Sequence, residues 1–282
     1  MKRTLRSGNR AFKIVAYIVC IILSILSLMP FVIMLVNSTR STYEIQQHAV
    51  SLIPSKYLMN NFKVYDGKTF DAWKGFINSA IVATGTTALV VYFSSLTAYA
   101  LVAYRWKLRG AFFTVILCVM MIPGQVTSIG FYQFMYRIHW TNSFLPLIIP
   151  GIAAPATVFF MRQFMLASLP LDLLDSARID GSKEFHTFNT IALPLMKPAM
   201  ATQAIFTFVG KWNELFMPAI LLTDNEKYTM PIMVSLLRGD IYKVEHGAIY
   251  LGLTLSVLPL FVVYFALSKY IIAGVALGGV KG

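Results

Sequence analysis

The chain has 282 residues, 57% of them hydrophobic and 13% charged, with a mean hydropathy of +0.67 and a net charge of +12. Soluble domains carry about 25% charged residues, and a globule of this length lacks the buried volume to hide so much apolar surface. This excludes an ordinary soluble protein and points to the bilayer, where lipid covers apolar side chains. The basic excess then reads as a topology signal in loops rather than as a nucleic-acid surface.

Lys2, Arg3, Arg6, Arg10 and Lys13 precede a run without charge, residues 14–39. A basic start before an apolar run also describes a cleaved signal peptide, but this run is too long and no small-residue cleavage site follows Pro30. A retained anchor helix is expected, with residues 1–13 as a cytoplasmic N-terminus. Uncharged stretches follow at 75–104, 111–136 and 138–161. A fifth candidate, 199–223, carries Lys211 and Glu214, and a sixth covers 246–268. A spanning helix needs about 20 residues at about 1.5 Å each. The prediction is an all-α integral membrane protein with six transmembrane helices and both termini on one side. With the N-terminus inside, the inner segments hold 14 Lys and Arg against nine outside. Arg105, Lys107 and Arg109, between two long runs, are the strongest local sign of an inner loop. The outer loops are then 40–74, with turn signals at Pro54, Asn60-Asn61 and Asp66-Gly67, and 224–245, of mixed charge.

Enzyme chemistry has no visible seat. The chain has no nucleotide-binding P-loop pattern, no H-E-x-x-H and no G-x-S-x-G. Cys20 and Cys118 lie in charge-free apolar stretches, and His48, His139, His186 and His246 are scattered, so no metal-ligand spacing appears.

The segment 162–197 is too long for a minimal helix connection. Within it Pro170 suits a helix start and Asp172 suits the positive N-terminal end. Asp180-Gly181 reads as a stop, because glycine takes a left-handed conformation freely. Ser182 is placed to cap a second short helix, which Pro194 is expected to end. Leu174, Ala177, Gly181, Phe185 and Phe188 recur at three- and four-residue steps and form an apolar stripe. Such a helix–turn–helix could lie on the bilayer surface or dock into a groove of a partner.

Asp175-Ser176-Ala177, then Gly181, Ile191 and Leu193-Pro194, have the spacing of the EAA loop and resemble that of binding-protein-dependent ABC importer permeases. Asp175 stands for the usual Glu and Ser176 for the usual Ala. Asp180 before Gly181, the run from Ala192 to Pro198, Trp212-Asn213-Glu214 with Pro218, and the ending from Gly278 to Gly282 are similar to the carbohydrate-uptake branch, and within it to the maltose-type second permease subunit. The resemblance covers roughly the whole chain. It implies a single type I ABC importer transmembrane domain over 1–282, with the coupling loop at 171–194 and a cytoplasmic tail at 274–282. It implies a homologous second permease subunit, two ATPase subunits and an extracellular solute-binding protein as partners. ATP and Mg²⁺ would belong to the ATPase, and this chain would hold no cofactor. Leu174, Asp175, Ser176, Ala177, Asp180, Gly181, Phe185, Phe188, Leu193 and Pro194 would form the ATPase-coupling element. Gly279, Lys281 and Gly282 would contact the ATPase from the tail, although alone they read as a frayed terminus. The loop 224–245 would touch the docked binding protein.

Charges at bilayer depth cost at least about 2.5 kcal/mol, so Lys211 and Glu214 are expected to face protein or water. Their i, i+3 spacing permits a structural ion pair. They also suit a solute pathway with Trp212 and Asn213, as aromatic faces and amides suit sugars. Gln125, Tyr132 and Gln133 are further pathway candidates. The expected function is import of an oligosaccharide or another sugar-like solute by alternating access. The alternatives are a non-sugar solute, or a secondary transporter, which would show the internal repeats that this chain lacks.

Overall fold

The computed structural model describes the backbone of residues 2–67, 71–239 and 244–279, and the side chains of 12–67, 71–238 and 244–268. Every regular element among them is helical: α1 (Lys2–Ser38), α2 (Thr42–Gln47), α3 (Leu58–Tyr65), α4 (Ala72–Ala103), α5 (Arg109–Met120), α6 (Gly124–Arg137), α7 (Leu145–Ile148) with a 3₁₀ turn (Ile149–Ile152), α8 (Pro155–Ser168), α9 (Leu171–Ile179), α10 (Glu184–Thr187), a π-turn (Phe188–Ala192), α11 (Leu193–Leu195), α12 (Lys197–Trp212), α13 (Phe216–Leu221), a 3₁₀ turn (Asn225–Lys227), α14 (Met230–Gly239) and α15 (His246–Gly279). The chain divides into two compact units, Met1–Thr69 with Val234–Val257, and Phe70–Met233 with Leu258–Gly282.

In the first unit α1 exposes an unbroken apolar surface, including Ile14, Ile18, Ile22, Ile25 and Leu26. Lipid is the solvent that accepts such a surface. The loop after α1 satisfies its own polar groups, as a water-poor site demands. Buried Arg40 donates to Asn37 Oδ1 at 3.0 Å, to the His48 carbonyl at 2.7 Å and to the Glu44 carbonyl at 2.9 Å. Ser41 and Glu44 form a capping box at the start of α2, with the Ser41 amide donating to Glu44 at 2.9 Å. Asn61 donates to the carbonyls of Ser38 and Arg40.

In the second unit α4 is the central element. Its buried positions are mostly small: Gly75, Ser79, Ala83, Thr86, Ser94 and Ala98. Small residues let neighbouring backbones approach in a membrane, where no hydrophobic effect drives helices together. Helices α8 and α12 both pack on α4. The 3₁₀ turn crosses α4 at Gly151, where a Cβ would lie 3.1 Å from the Thr86 carbonyl oxygen and 3.2 Å from Val90 Cγ2. Thr86 Oγ1 donates to the Leu147 carbonyl at 3.1 Å and fixes that crossing. Helix α5 meets α8 through stacked Phe113 and Phe159 rings, with the Arg162 guanidinium 4.0 Å from the Phe113 ring centre.

The third and fifth of the six expected spans are interrupted helices. Among the described residues four helices are long and apolar enough to cross a membrane, Phe12–Ser38, Ala72–Ala103, Leu145–Ser168 and His246–Ser268, and the bent pair below makes five if it is one span. The third candidate is a bent pair, Arg109–Met120 and Gly124–Arg137, meeting at 96°. Pro123 between them has no amide hydrogen to carry the helix on. The fifth candidate is two pieces, α12 of 16 residues and α13 of six. Asn213 turns its side chain back to the Val209 carbonyl at 2.9 Å, a local bond that competes with helix continuation. Pro194 does not end the second helix of the coupling segment either. Residues 188–192 widen into a π-turn just before it, which relieves the clash a proline makes with the preceding turn. Helical backbone then continues through α11 to α12.

Replacing Gly151 by Ala presses the 3₁₀ turn against α4 and is expected to cost about 1–3 kcal/mol, with Val costing more. Thermal unfolding in detergent micelles measures it, and an unchanged midpoint for Gly151→Val would refute the close approach.

Candidate functional site

The segment 171–194 folds as a hairpin. Helix α9 ends at Asp180, and Gly181 follows with φ +81°. The Ser182 amide donates to the Ala177 carbonyl at 2.9 Å and the Gly181 amide to Arg178 at 3.0 Å, which closes the helix end. No atom lies within 4 Å of a Cβ built on Gly181. The glycine is needed for its backbone angle and not for space. Lys183, rather than the expected Ser182, holds the N-cap position of α10. Ser182 Oγ is instead 2.8 Å from Thr187 Oγ1.

The apolar stripe splits between two surroundings. Leu174 and Phe188 are buried with Tyr99, Met161, Met165 and Met196 of the chain's own core, and Ala177 is buried as well. The Phe188 ring lies 5.3 Å from Tyr99 and 5.8 Å from Tyr92. Phe185 is 65% exposed and Ile179 86%. Leu171 and Leu173 are exposed as well. Asp175, Ser176, Asp180 and Pro194 also face outward, and Leu193 is half-buried against the core. Residues at one face of the hairpin therefore bind it to the membrane domain, and those at the other face are left free of this chain.

Arg178 and Glu184 join the two arms of the hairpin, a link the sequence reading passed over. Arg178 Nε donates to Glu184 Oε1 at 2.7 Å, Nη1 to Asp175 Oδ1 at 2.8 Å and Nη2 to the Ala103 carbonyl at 3.3 Å. Its guanidinium lies 5.4 Å from the Tyr104 ring centre. Tyr99 Oη donates to Glu184 Oε2 at 3.2 Å. The cation thus sits on the C-terminal end of α4, where the helix dipole favours positive charge. The hydrogen bonds from Arg178 hold the Glu184 carboxyl below the usual carboxylate range, and burial pushes the Tyr104 phenol up to about 12. Glu184 is 41% exposed, so solvent screens the pair to about 1 kcal/mol or less. Its value is geometric. The visible signal was a pair of opposite charges flanking a glycine turn.

The pathway candidates separate. Lys211 Nζ donates to Glu214 Oε2 at 2.7 Å, so the expected pair forms. Both line a cavity of about 410 Å³ with Gly124, Thr127, Ser128 and Phe131. Ligand pockets run to roughly 300–1,000 Å³. Trp212 is buried away from it, stacked on Phe208 at 5.6 Å with its edge toward Phe76. Asn213 closes the end of α12. Gln125 and Gln133 are exposed, and Tyr132 is half-buried beside Tyr136, so none of the three lines this cavity. Gly124, Thr127, Ser128 and Phe131 come from the bend between α5 and α6. The Pro123-Gly124 dipeptide was the sequence signal for it. Gly279 is the last residue of α15, while Lys281 and Gly282 lie outside the described residues.

Gly181→Ala keeps the hairpin free of clashes but strains its turn, at about 1–2 kcal/mol. Hydrogen exchange across α9 and α10 reads it, and unchanged protection would contradict the positive φ. Glu184 has a depressed pKa in the folded state. Its contribution is present above the ordinary glutamate value near 4.3 and is lost as pH falls through the lower folded value. Exchange protection of the hairpin, corrected for intrinsic rate, is expected to hold from pH 8 to about 5 and to weaken on the acid side. Glu184→Gln should flatten that acid-side dependence.

The chain is similar to known proteins over nearly its whole length. The family described as "Binding-protein-dependent transport system inner membrane component" matches residues 90–276. The arabinooligosaccharides transport system permease protein of Bacillus subtilis is 34% identical over 275 residues, 96% of each chain. The lactose transport system permease protein of Rhizobium radiobacter is 32% identical over the whole of both chains. The trehalose/maltose transport system permease protein of Thermococcus litoralis is 28% identical over 96% of this chain and 97% of its own. Among solved structures, a chain of a bacterial ABC transporter involved in the import of the acidic polysaccharide alginate superposes with a TM-score of 0.79, 22% identity and coverage of 93% and 97%. The fold is that of a type I importer permease, and the chain belongs to the family of binding-protein-dependent transport system inner membrane components.

Proposed function

We propose that this chain is one of two permease subunits of an ATP-driven importer for oligosaccharides. The observation that carries the reading is the hairpin at 171–194, anchored by one face and offering Leu171, Leu173, Ile179 and Phe185 on the other. Exposed apolar residues on a short helix outside the spans suit a groove on a partner. The partner is an ATPase subunit that binds ATP and Mg²⁺. A solute-binding protein delivers the sugar on the opposite side of the membrane, near residues 224–245, and both termini lie with the hairpin on the cytoplasmic side. The sugar assignment is supported by relatives named for arabinooligosaccharide, lactose and trehalose/maltose transport.

The chain then performs no covalent chemistry. Rocking of the two permeases exposes the cavity at Lys211 and Glu214 to each side in turn. The acid and the cation offer an acceptor and donors to sugar hydroxyls, and Phe131 offers an apolar face.

Two measurements test this. The tagged chain, purified from its native membranes, should bring ATP-hydrolysing activity with it, and its recovery with no ATPase sinks the reading. Glu214→Ala should cut uptake of labelled arabino-oligosaccharides by about tenfold or more, the size of one lost charge-assisted hydrogen bond in the pathway, with subunit assembly intact. Unchanged uptake removes Glu214 from the pathway.

A further inference from the structure

Helix α4 is tied by polar bonds at both ends to parts of the second unit that lie beyond its spans. At its C-terminal end are the Arg178 bond to the Ala103 carbonyl and the Tyr99 bond to Glu184. Tyr92 Oη adds a bond to Asn189 Oδ1 at 3.3 Å. At its N-terminal end Lys74 bonds the Glu226 carboxylate. Asn78 Nδ2 donates to the carbonyls of Glu226 at 2.9 Å and Tyr228 at 3.0 Å. Ser79 Oγ accepts from the Met230 amide at 2.9 Å. Between these ends α4 runs unbroken for 32 residues, about 48 Å of helix. From Asn78 to Tyr99 the helix rises about 32 Å, the thickness of the ~30 Å hydrocarbon core, so in a spanning α4 the outer bonds of the two sets fall at opposite faces of the membrane. Midway, Thr86 and Val90 line the cavity that holds Lys211 and Glu214.

Directional bonds of fixed length resist sliding, whereas apolar contacts such as Leu174 and Phe188 on the core tolerate it. The hairpin is joined to α4 by both kinds, and so is the 224–229 loop, through the bonds from Asn78 and through Tyr228 packed against the cluster of Val82. A displacement of the hairpin is therefore handed to α4 and carried to the far loop, passing the cavity on the way.

We propose that α4 is the rod linking the coupling hairpin to the opposite membrane face, and that Arg178 and Glu184 at one end, with Lys74 and Asn78 at the other, are positioning residues for that linkage. The inference rests on the importer reading above. Coupling of this kind needs one element with two arrangements that both sites bias, and α4 is the element that touches both.

The test uses the complex purified with its own partner subunits and placed in proteoliposomes. Cys20 and Cys118 are replaced by Ser, and exposed Asn225 is replaced by Cys as a reporter on the far loop. A membrane-impermeant maleimide, applied on the face opposite the hairpin, labels it with and without ATP plus vanadate. In the parent, trapping should change the labelling rate several-fold. In Glu184→Gln the change per mole of trapped nucleotide should shrink by at least about threefold, the size of a typical coupling factor. Glu184→Asp should restore the response. Asn78→Ala, at the other end, should abolish it as Glu184→Gln does, and it decides the matter if Glu184→Gln fails to assemble. A Glu184→Gln or Asn78→Ala complex that traps nucleotide and keeps the parent's labelling change overturns the rod. A parent that traps no nucleotide overturns the importer reading, and the rod with it.

Discussion

A helix can be approached closely from several sides only where its side chains are small. Helix α4 meets that condition with Gly75, Ser79, Ala83, Thr86, Ser94 and Ala98 along its length. In water, bulky apolar residues would serve such a helix better, since burying them stabilises the fold. In lipid that gain vanishes, and close backbone contact replaces it. The arrangement of α8, α12 and the 3₁₀ turn at Gly151 follows from this one property. So does the hairpin, whose inward residues fill the space where α4, α8 and α12 converge.

The hairpin uses its apolar residues in a way that periodicity alone does not announce. A stripe at three- and four-residue steps says that a face is apolar, but not against what it is placed. Leu174 and Phe188 are consumed by the chain's own core, and Phe185 is not. The turn between them is a backbone requirement at Gly181, whose surroundings are empty. Its sensitivity to substitution comes from φ and not from crowding.

Much of this was legible in the sequence, and the gaps have physical reasons. Charge-free runs located α1, α4 and α15, because lipid imposes a length and an apolar character that residues report directly. The motif spacing from Asp175 to Pro194 located the hairpin. The break at Pro123 was written in the chain, but a hydropathy run passes over it, since proline and glycine are as free of charge as leucine. The halves of the fifth candidate were hidden for the opposite reason. Lys211 and Glu214 marked the segment as unusual, yet Asn213 folding back on Val209 is a three-dimensional fact. The Arg178–Glu184 link required the turn to be built first, because six residues separate them and no regular element brings that spacing together.

The Lys211–Glu214 pair has an electrical consequence. Lys211 lies in the last turn of α12 and Glu214 just past its end, with the two charges 2.7 Å apart. Any motion of that helix end carries them together, so the net charge displaced through the membrane field is close to zero. A lone charge moved across the bilayer would exchange about 2.3 kcal/mol per 100 mV with the membrane potential. A cavity lined with a self-neutralised pair keeps polar groups exposed within it, yet movement of the pair as a unit is almost insensitive to the membrane potential.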